Sequence, residues 1–418
     1  MRGPASIAMK KSVFRDLLKE HIAPMFSGCK VLKATDAINR SAKRASLTNA
    51  QHIKVRWDKE TKFQFNLRRS QEFSQQDASF VNNVIGNLNS VAAVEGTPYF
   101  DELIGAAIRR AVASLAAPKS TNLANNVLRD LEQWSEETYE GRPISALAGI
   151  TTEVVGKKGV SLRSILRQSF GKVAACSMEV AATMSADGRF TGYEHLEQPK
   201  EVADVMAPHR FAAIARWANK GKVALALSRN GEILVFFQEG LGFARRRGRW
   251  RHFNHDALIK RLRQNKAFPT PLCAAVYQSC LDVSFAKVGG GIALIHADKT
   301  QEFDGADRVS GNDRVSGNSK KAQFLRDAIS DRKFQDLPRP LRQTLLAMDG
   351  TTVLQRDGSV VAVGAIVRVE AGSKTGGGRK AAAMVMGQYG LGIKVSSDGE
   401  IAGFNQSGDD QEALFTFG

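Results

Sequence analysis

The chain has 418 residues, 43% of them hydrophobic, enough for two or three domains with buried cores. Fifty-nine Lys and Arg against 42 Asp and Glu give a formal net charge of +17, which favours anionic partners such as nucleotides, nucleic acid or acidic surfaces. Four scattered cysteines (Cys29, Cys176, Cys273, Cys280) exclude a disulfide scaffold and predict reduced thiols. No apolar run approaches the ~20 residues of a membrane span. The basic start, 1–11, lacks the apolar core of a secretory signal, so the expected location is cytoplasmic, with no membrane partner.

Val13, Phe14, Leu17, Leu18 and Ile22 recur at helical spacing and Pro24 ends the pattern, which predicts a short amphipathic helix. The stretch 30–50, rich in Lys, Arg, Ser and Asn, reads as a solvated loop. Alternation over 52–57 and 62–67 predicts two strands with Asp58-Lys59-Glu60 as their turn. Thr97-Pro98 opens a helix through Leu103, Ile104, Ala107, Ile108, Val112 and Leu115, and another runs from about Ser120 to Tyr139. This largely helical N-terminal region, 1–140, carries no evident chemistry.

From Gly141 onward the texture changes to strand pairs. Turns at Asp187-Gly188, Asn230-Gly231, Asp357-Gly358 and Asp398-Gly399 each lie between apolar runs, a strong hairpin signal. With helical segments between them they predict an α/β chain of the α+β kind: a mixed sheet of hairpins with flanking helices, preceded by the helix-rich region. The expected divisions are 1–140, a middle segment over 141–265, and 266–418. The hairpins show no sequence repeat of fixed period. One exact repeat, Asp307-Arg308-Val309-Ser310-Gly311-Asn312 copied over 313–318, reads as a loop lengthened by duplication.

The most basic run carries Arg245, Arg246, Arg247, Arg249 and Arg251 around Gly248, with Trp250 and Phe253 interleaved. It suits a clamp on a nucleic-acid backbone, or else a strand pair turning at Gly248 with cations in solvent and aromatics in the core. His252, His255 and Asp256 form a possible metal corner, but no third ligand has fitting spacing and the basic surroundings repel a cation. His296 ends an apolar strand and is a candidate lining residue or a packed histidine. A Walker-type loop is disfavoured because Gly-Lys-Ser/Thr is absent after Gly372.

The last stretch holds the densest signal. Asp349-Gly350-Thr351 opens a buried strand. After the hairpin come Ser373, Lys374, Thr375, Gly376, Gly377, Gly378, Arg379 and Lys380, a glycine-rich loop that opens a helix with two cations. Converging backbone N–H groups, the helix N-terminus and two full charges suit a phosphate; the alternative is a glycine-rich surface loop with solvated cations.

In layout this stretch resembles the catalytic domain of the diadenylate cyclases. There a strand begins Asp-Gly-Ala, a hairpin follows, and Ser-Glu-Thr-Gly-Thr-Arg-His-Arg opens a helix ending in Gly. Asp349-Gly350-Thr351 matches the first motif, Ser373-Lys374-Thr375-Gly376 the second, and Gly378-Arg379-Lys380 the Arg-His-Arg triplet, with Gly390 as the stop. Gly289-Gly290-Gly291-Ile292-Ala293-Leu294-Ile295 is similar to an upstream strand of that family. The resemblance covers roughly the last third of the chain and is nearest the sensor-type (DACNV-type) members, in which an Arg-rich turn before Gly and Trp also occurs. It implies phosphate contacts from Gly350, Thr351, Ser373, Thr375, Gly376, Gly377, Gly378, Arg379 and Lys380. It also implies Mg or Mn held through Asp349, catalytic only in an active enzyme, and paired protomers, hence a homo-oligomer. In the family two ATP molecules meet across two protomers, and each 3′-hydroxyl attacks the other's α-phosphate. Here Arg379 stands where the family has a metal-binding histidine, Thr351 replaces Ala and Gly378 replaces Arg. The expected function is therefore a sensor that binds ATP or a nucleotide-derived second messenger without turnover. An active diadenylate cyclase is the first alternative and a nucleic-acid-binding protein the second.

Overall fold

The computed structural model describes residues 9–26, 28–36, 43–58, 60–89, 99–156, 160–161, 164, 177–199, 202, 204–264, 266–369, 377–405 and 413–418. The fold is α+β, with mixed and antiparallel sheets. It divides into two compact units: Met1–Lys200 with Phe211–Phe253, and Glu201–Arg210 with Asn254–Gly418. Among the described residues no helix is long and apolar enough to cross a membrane.

In the first unit the opening helix Lys11–Leu17 continues as a π turn, Leu18–Ile22, and buries Phe14, Leu17, Leu18 and Ile22. The Phe14 ring packs edge-on against Trp57 and Phe65. Strands His52–Val55 and Phe63–Arg68 pair antiparallel as the alternation predicts. The expected loop over 30–50 is corrected: it contains strands Lys30–Val31, Thr35–Asp36 and Ala45–Asn49, each paired to one of those two. Their polar side chains face outward while the backbone is satisfied by pairing, so hydrophilic composition marks an exposed sheet face here. Helices Phe100–Ala116 and Thr121–Trp134 form on the expected apolar spacing, but the second ends before Tyr139, since Thr138–Tyr139 pairs as a short strand with Arg142–Pro143, and the expected Thr97-Pro98 opening lies outside the described residues. Helix Gln75–Asn89 joins these two helices in one core.

The larger sheet of the first unit has the strand order Phe190–His195, Val180–Met184, Ala146–Ile150, Val223–Leu227, Ile233–Phe237, Gly240–Arg246, Arg249–His252. The sheet of the second unit runs Val360–Ala365, Thr351–Leu354, Gly290–Ile295, Gly390–Val395, Ile401–Phe404, Phe415–Phe417. The two share one plan. In the first, Ile150 pairs parallel with Met184 and antiparallel with Val223. In the second, Leu294 pairs parallel with Leu354 and antiparallel with Leu391. The matching hairpins close alike: Gly188 N–H donates to Ser185 and Gly358 N–H to Gln355, each at 2.9 Å. Gly231 N–H donates to Ser228 and Gly399 N–H to Ser396, also at 2.9 Å. The later turn even repeats in sequence, Ser228-Arg229-Asn230-Gly231-Glu232-Ile233 against Ser396-Ser397-Asp398-Gly399-Glu400-Ile401. No fixed sequence period survives because the connections differ in length. The second unit places helices Thr300–Gly305, Lys320–Ile329 and Arg339–Ala347 between its first two strands.

The core of the second unit is built on helix Thr270–Phe285, buried along most of its length. Asp282 on that helix accepts from Arg339 Nε and Nη2, both at 2.8 Å. Arg339 also donates to the carbonyls of Val202, Val205 and Ala207, and His209 N–H donates to Asp282 at 2.6 Å. That node is why the short segment Glu201–Arg210 belongs to the second unit although the chain then returns to the first. Cys29, Cys273 and Cys280 are free thiols; burial pushes the Cys273 thiol up to about 12.

Candidate functional site

Strands Gly290–Ile295 and Thr351–Leu354 run parallel, so both begin at one end of the second sheet. Helix Gly378–Gly387 also begins there, because strand Gly390–Val395 after it runs antiparallel to Gly290–Ile295, with Gly390 opposite Ile295. The helix lies very close to the sheet: a Cβ on Gly392 would collide with the Ala383 carbonyl, and one on Gly387 would sit 2.7 Å from the Phe404 carbonyl. Ala381, Ala383 and Met386 form its buried face.

This geometry brings Arg379 to Asp349. Arg379 Nη2 lies 3.8 Å from Asp349 Oδ1, with the side chains 44% and 91% exposed. The separation exceeds hydrogen-bond range, and an exposed pair of this kind contributes only ~0–1 kcal/mol. The Arg379 guanidinium covers Gly289, where any Cβ would strike it. Gly350 has φ +106° and its backbone abuts Gly364, where a Cβ would come within 2.6 Å of the Gly364 carbonyl carbon, so a side chain there is excluded twice. Thr351 is buried, paired with Ala365, with its hydroxyl toward Gly291. Gly377, at φ +93°, precedes the helix, and its carbonyl accepts from Lys380 and Ala381 N–H, both at 3.1 Å. The first-turn N–H groups of any helix have no acceptor within it. Thus Asp349, Gly350, Gly377, Gly378, Arg379 and the half-buried Lys380 share this end of the sheet, and Thr351 lies beneath it. Ser373, Thr375 and Gly376 lie outside the described residues.

Sequence reasoning missed Lys321. Its Nζ donates to Asp313 Oδ1 at 2.7 Å and to the Gly364 carbonyl at 3.1 Å, and Gly364 packs on the Asp349 backbone. Asp313 opens the second copy of the repeated hexapeptide, so that repeat is more than a lengthened loop. Val309 in the first copy is buried, Arg314 bridges Ala362, and Val315 N–H donates to Val361 at 2.9 Å, which covers the edge of strand Val360–Ala365. Ser319 then caps helix Lys320–Ile329, its Oγ accepting from Ala322 N–H at 3.0 Å. The signal that was available is Ser319-Lys320-Lys321, a cap followed by two cations.

His296 is at the far end of strand Gly290–Ile295, hydrogen-bonded to Gln264 at 2.8 Å with its ring beside Phe268. Burial holds its pKa below the ordinary value despite Asp298 nearby. It is a packed histidine, about 20 Å of strand away from the Arg379 end. His252 contacts Asp77 at 2.9 Å and His255 contacts the Tyr277 hydroxyl at 2.7 Å. Among the described residues no three His, Cys, Asp or Glu gather to hold a metal. Among the described residues of the candidate site, the carboxylate of Asp349 stands beside the permanent cation of Arg379, a donor set that does not by itself fit a divalent ion.

The arginine run forms the strand pair Gly240–Arg246 and Arg249–His252, turning at Arg247 and Gly248 with φ of 50° and 75°. Arg246 is buried against Glu232 at 3.0 Å, Arg245 lies 3.7 Å from Glu132, and Arg251 donates to the Pro24 carbonyl at 2.5 Å. Trp250 and Phe253 are buried. Arg245, Arg246 and Arg251 thus have partners within the first unit.

No family model matches the chain, and no curated protein does. A crystal structure of a cysteine double mutant of DacA from Staphylococcus aureus, a diadenylate cyclase, is a weak structural neighbour. It has 16% sequence identity and a TM-score of 0.22, over 34% of this chain and 83% of that one.

Proposed function

We propose that the second unit is a nucleotide-binding sensor domain of diadenylate-cyclase-like layout, which holds the phosphates of ATP or of a nucleotide-derived messenger and does not cyclise them. The observation that carries this reading is Arg379, 3.8 Å from Asp349 at the position the resemblance gives to a metal-binding histidine. A neutral imidazole offers a lone pair to a divalent ion; a guanidinium offers none and stays protonated. Arg379 therefore puts a fixed positive charge where the family places a metal, which favours an anion that is held over one that is activated. Lys380 and the first-turn N–H groups of helix Gly378–Gly387 add donors on the same side, while Lys321, ion-paired to Asp313, holds the Gly364 carbonyl next to the Asp349 backbone. With Asp349 exposed and negative, Arg379 and Lys380 also offset its repulsion of a phosphate.

Charge-assisted hydrogen bonds contribute roughly 1.5–3 kcal/mol each. Replacing Arg379 and Lys380 together by Ala is expected to cost about a hundredfold or more in ATP affinity by titration calorimetry, and to do so equally with and without Mg²⁺. Unchanged affinity in the double variant would sink the assignment. The cyclase reading is tested in parallel by chromatography of products after incubation with ATP and Mg²⁺ or Mn²⁺. Cyclic dinucleotide formed by the protein and abolished by Asp349→Asn would establish an enzyme instead.

A further inference from the structure

We infer that the first unit carries an anion site of its own, a cleft that takes a compact phosphate-bearing small molecule. Its volume is about 690 Å³, within the roughly 300–1,000 Å³ common for small-molecule sites. It opens along strand Arg249–His252, where that edge meets helices Phe100–Ala116 and Thr121–Trp134 and the π turn Leu18–Ile22. Among the described residues this strand has no counterpart in the six-stranded sheet of the second unit, so the cleft belongs to what the first unit adds to the shared plan.

Five arginines reach the cleft from three directions: Arg109 and Arg129 from the two helices, Arg245 from the inner strand, Arg249 and Arg251 from the edge strand. Glu132 is shared inside it, ion-paired to Arg109 and 3.7 Å from Arg245. Arg109, Glu132 and Arg245 are only 14%, 19% and 25% exposed, so this inner part of the wall lies away from bulk water, where charge interactions strengthen. The Arg249 side chain is exposed at the mouth, and that of Arg129, 3.8 Å from Asp130, is partly exposed there. Arg251 is aimed by its bond to the Pro24 carbonyl. The other lining carboxylates, Glu20, Asp101 and Glu102, sit on the π turn and in the first turn of Phe100–Ala116, and Asp101 is 86% exposed. Asp101 and Glu102 there complement the positive end of the helix dipole. The inner wall is thus left with more guanidinium than carboxylate. An arginine fork matches a phosphate with two parallel hydrogen bonds. Acidic groups on the flank would repel an extended phosphate backbone, which selects a compact polyanion over nucleic acid.

The test uses the full chain carrying Arg379→Ala and Lys380→Ala, so that binding in the second unit is removed and the two sites are told apart. Titration with inorganic pyrophosphate is expected to show one site per chain. Arg129→Ala and Arg249→Ala should each weaken it roughly tenfold or more without shifting the melting temperature. Arg249→Lys keeps the charge but loses the paired donors and should also weaken it. No heat with pyrophosphate, or heat unchanged by these substitutions, overturns the inference. Tighter binding of a single-stranded oligonucleotide than of pyrophosphate overturns it as well.

Discussion

Arg339 and Asp282 are 2% and 3% exposed, and the pair is bidentate, with both contacts at 2.8 Å. Arg339→Met keeps most of the side-chain volume but leaves the Asp282 carboxylate with the His209 N–H as a remaining donor, takes the guanidinium from the Ala207 carbonyl, and leaves the Val205 carbonyl with Gln278 Nε2 at 3.3 Å. Removing one partner of a buried ion pair costs about 3–5 kcal/mol. For a unit of this size, with ~2–4 °C per kcal/mol, the melting temperature of the second unit should fall by roughly 6–20 °C in scanning calorimetry. The pair should also be coupled: Asp282→Asn combined with Arg339→Met should cost less than the two single changes added, by about 1–3 kcal/mol. Because helix Arg339–Ala347 leads directly into Met348 and Asp349, ATP affinity should drop with it. A loss under about 1 kcal/mol for Arg339→Met, or a strictly additive double variant, would refute the reasoning.

Gly289→Ala places a methyl group against the Arg379 guanidinium. Because that guanidinium is the far end of a flexible side chain, the melting temperature should hold within a degree or two while ATP affinity falls several-fold; a large thermal loss with affinity intact would contradict the placement. Acid pH tests the first unit. Burial alone would raise the Asp77 carboxyl, but the hydrogen bond and charge of His252, together with Arg69 and the Ser74 N–H, hold it well below the usual carboxylate range. A depressed folded pKa contributes stability that is whole above the unfolded value near pH 4 and is lost as pH falls toward the folded one. Melting of the wild-type protein followed from pH 6 to pH 2 should therefore steepen below about pH 4, and Asp77→Asn should flatten that slope. Parallel curves would rule the linkage out.

How much could be read before folding follows from the range of each signal. The Asp187-Gly188, Asn230-Gly231, Asp357-Gly358 and Asp398-Gly399 turns were readable because glycine at positive φ is a local requirement, met by residues adjacent in the chain. Helix Phe100–Ala116 was readable for a similar reason, since its buried positions recur every three or four residues. Asp349 at a strand start and Arg379 at a helix start were both visible in the sequence, each on its own element. Their approach to 3.8 Å was not, because it depends on strand Gly290–Ile295 lying between two segments far from it in the chain. Strand Ala45–Asn49 was misread as loop because its partner, not its own composition, satisfies its backbone. The shared sheet plan of the two units was hidden by unequal connections, and Lys321 by an insertion whose second copy supplies its partner Asp313. Turn chemistry and periodicity are carried by neighbouring residues. Which side chains come to share a site is set by hydrogen bonds and packing between distant ones, and no window of sequence contains those.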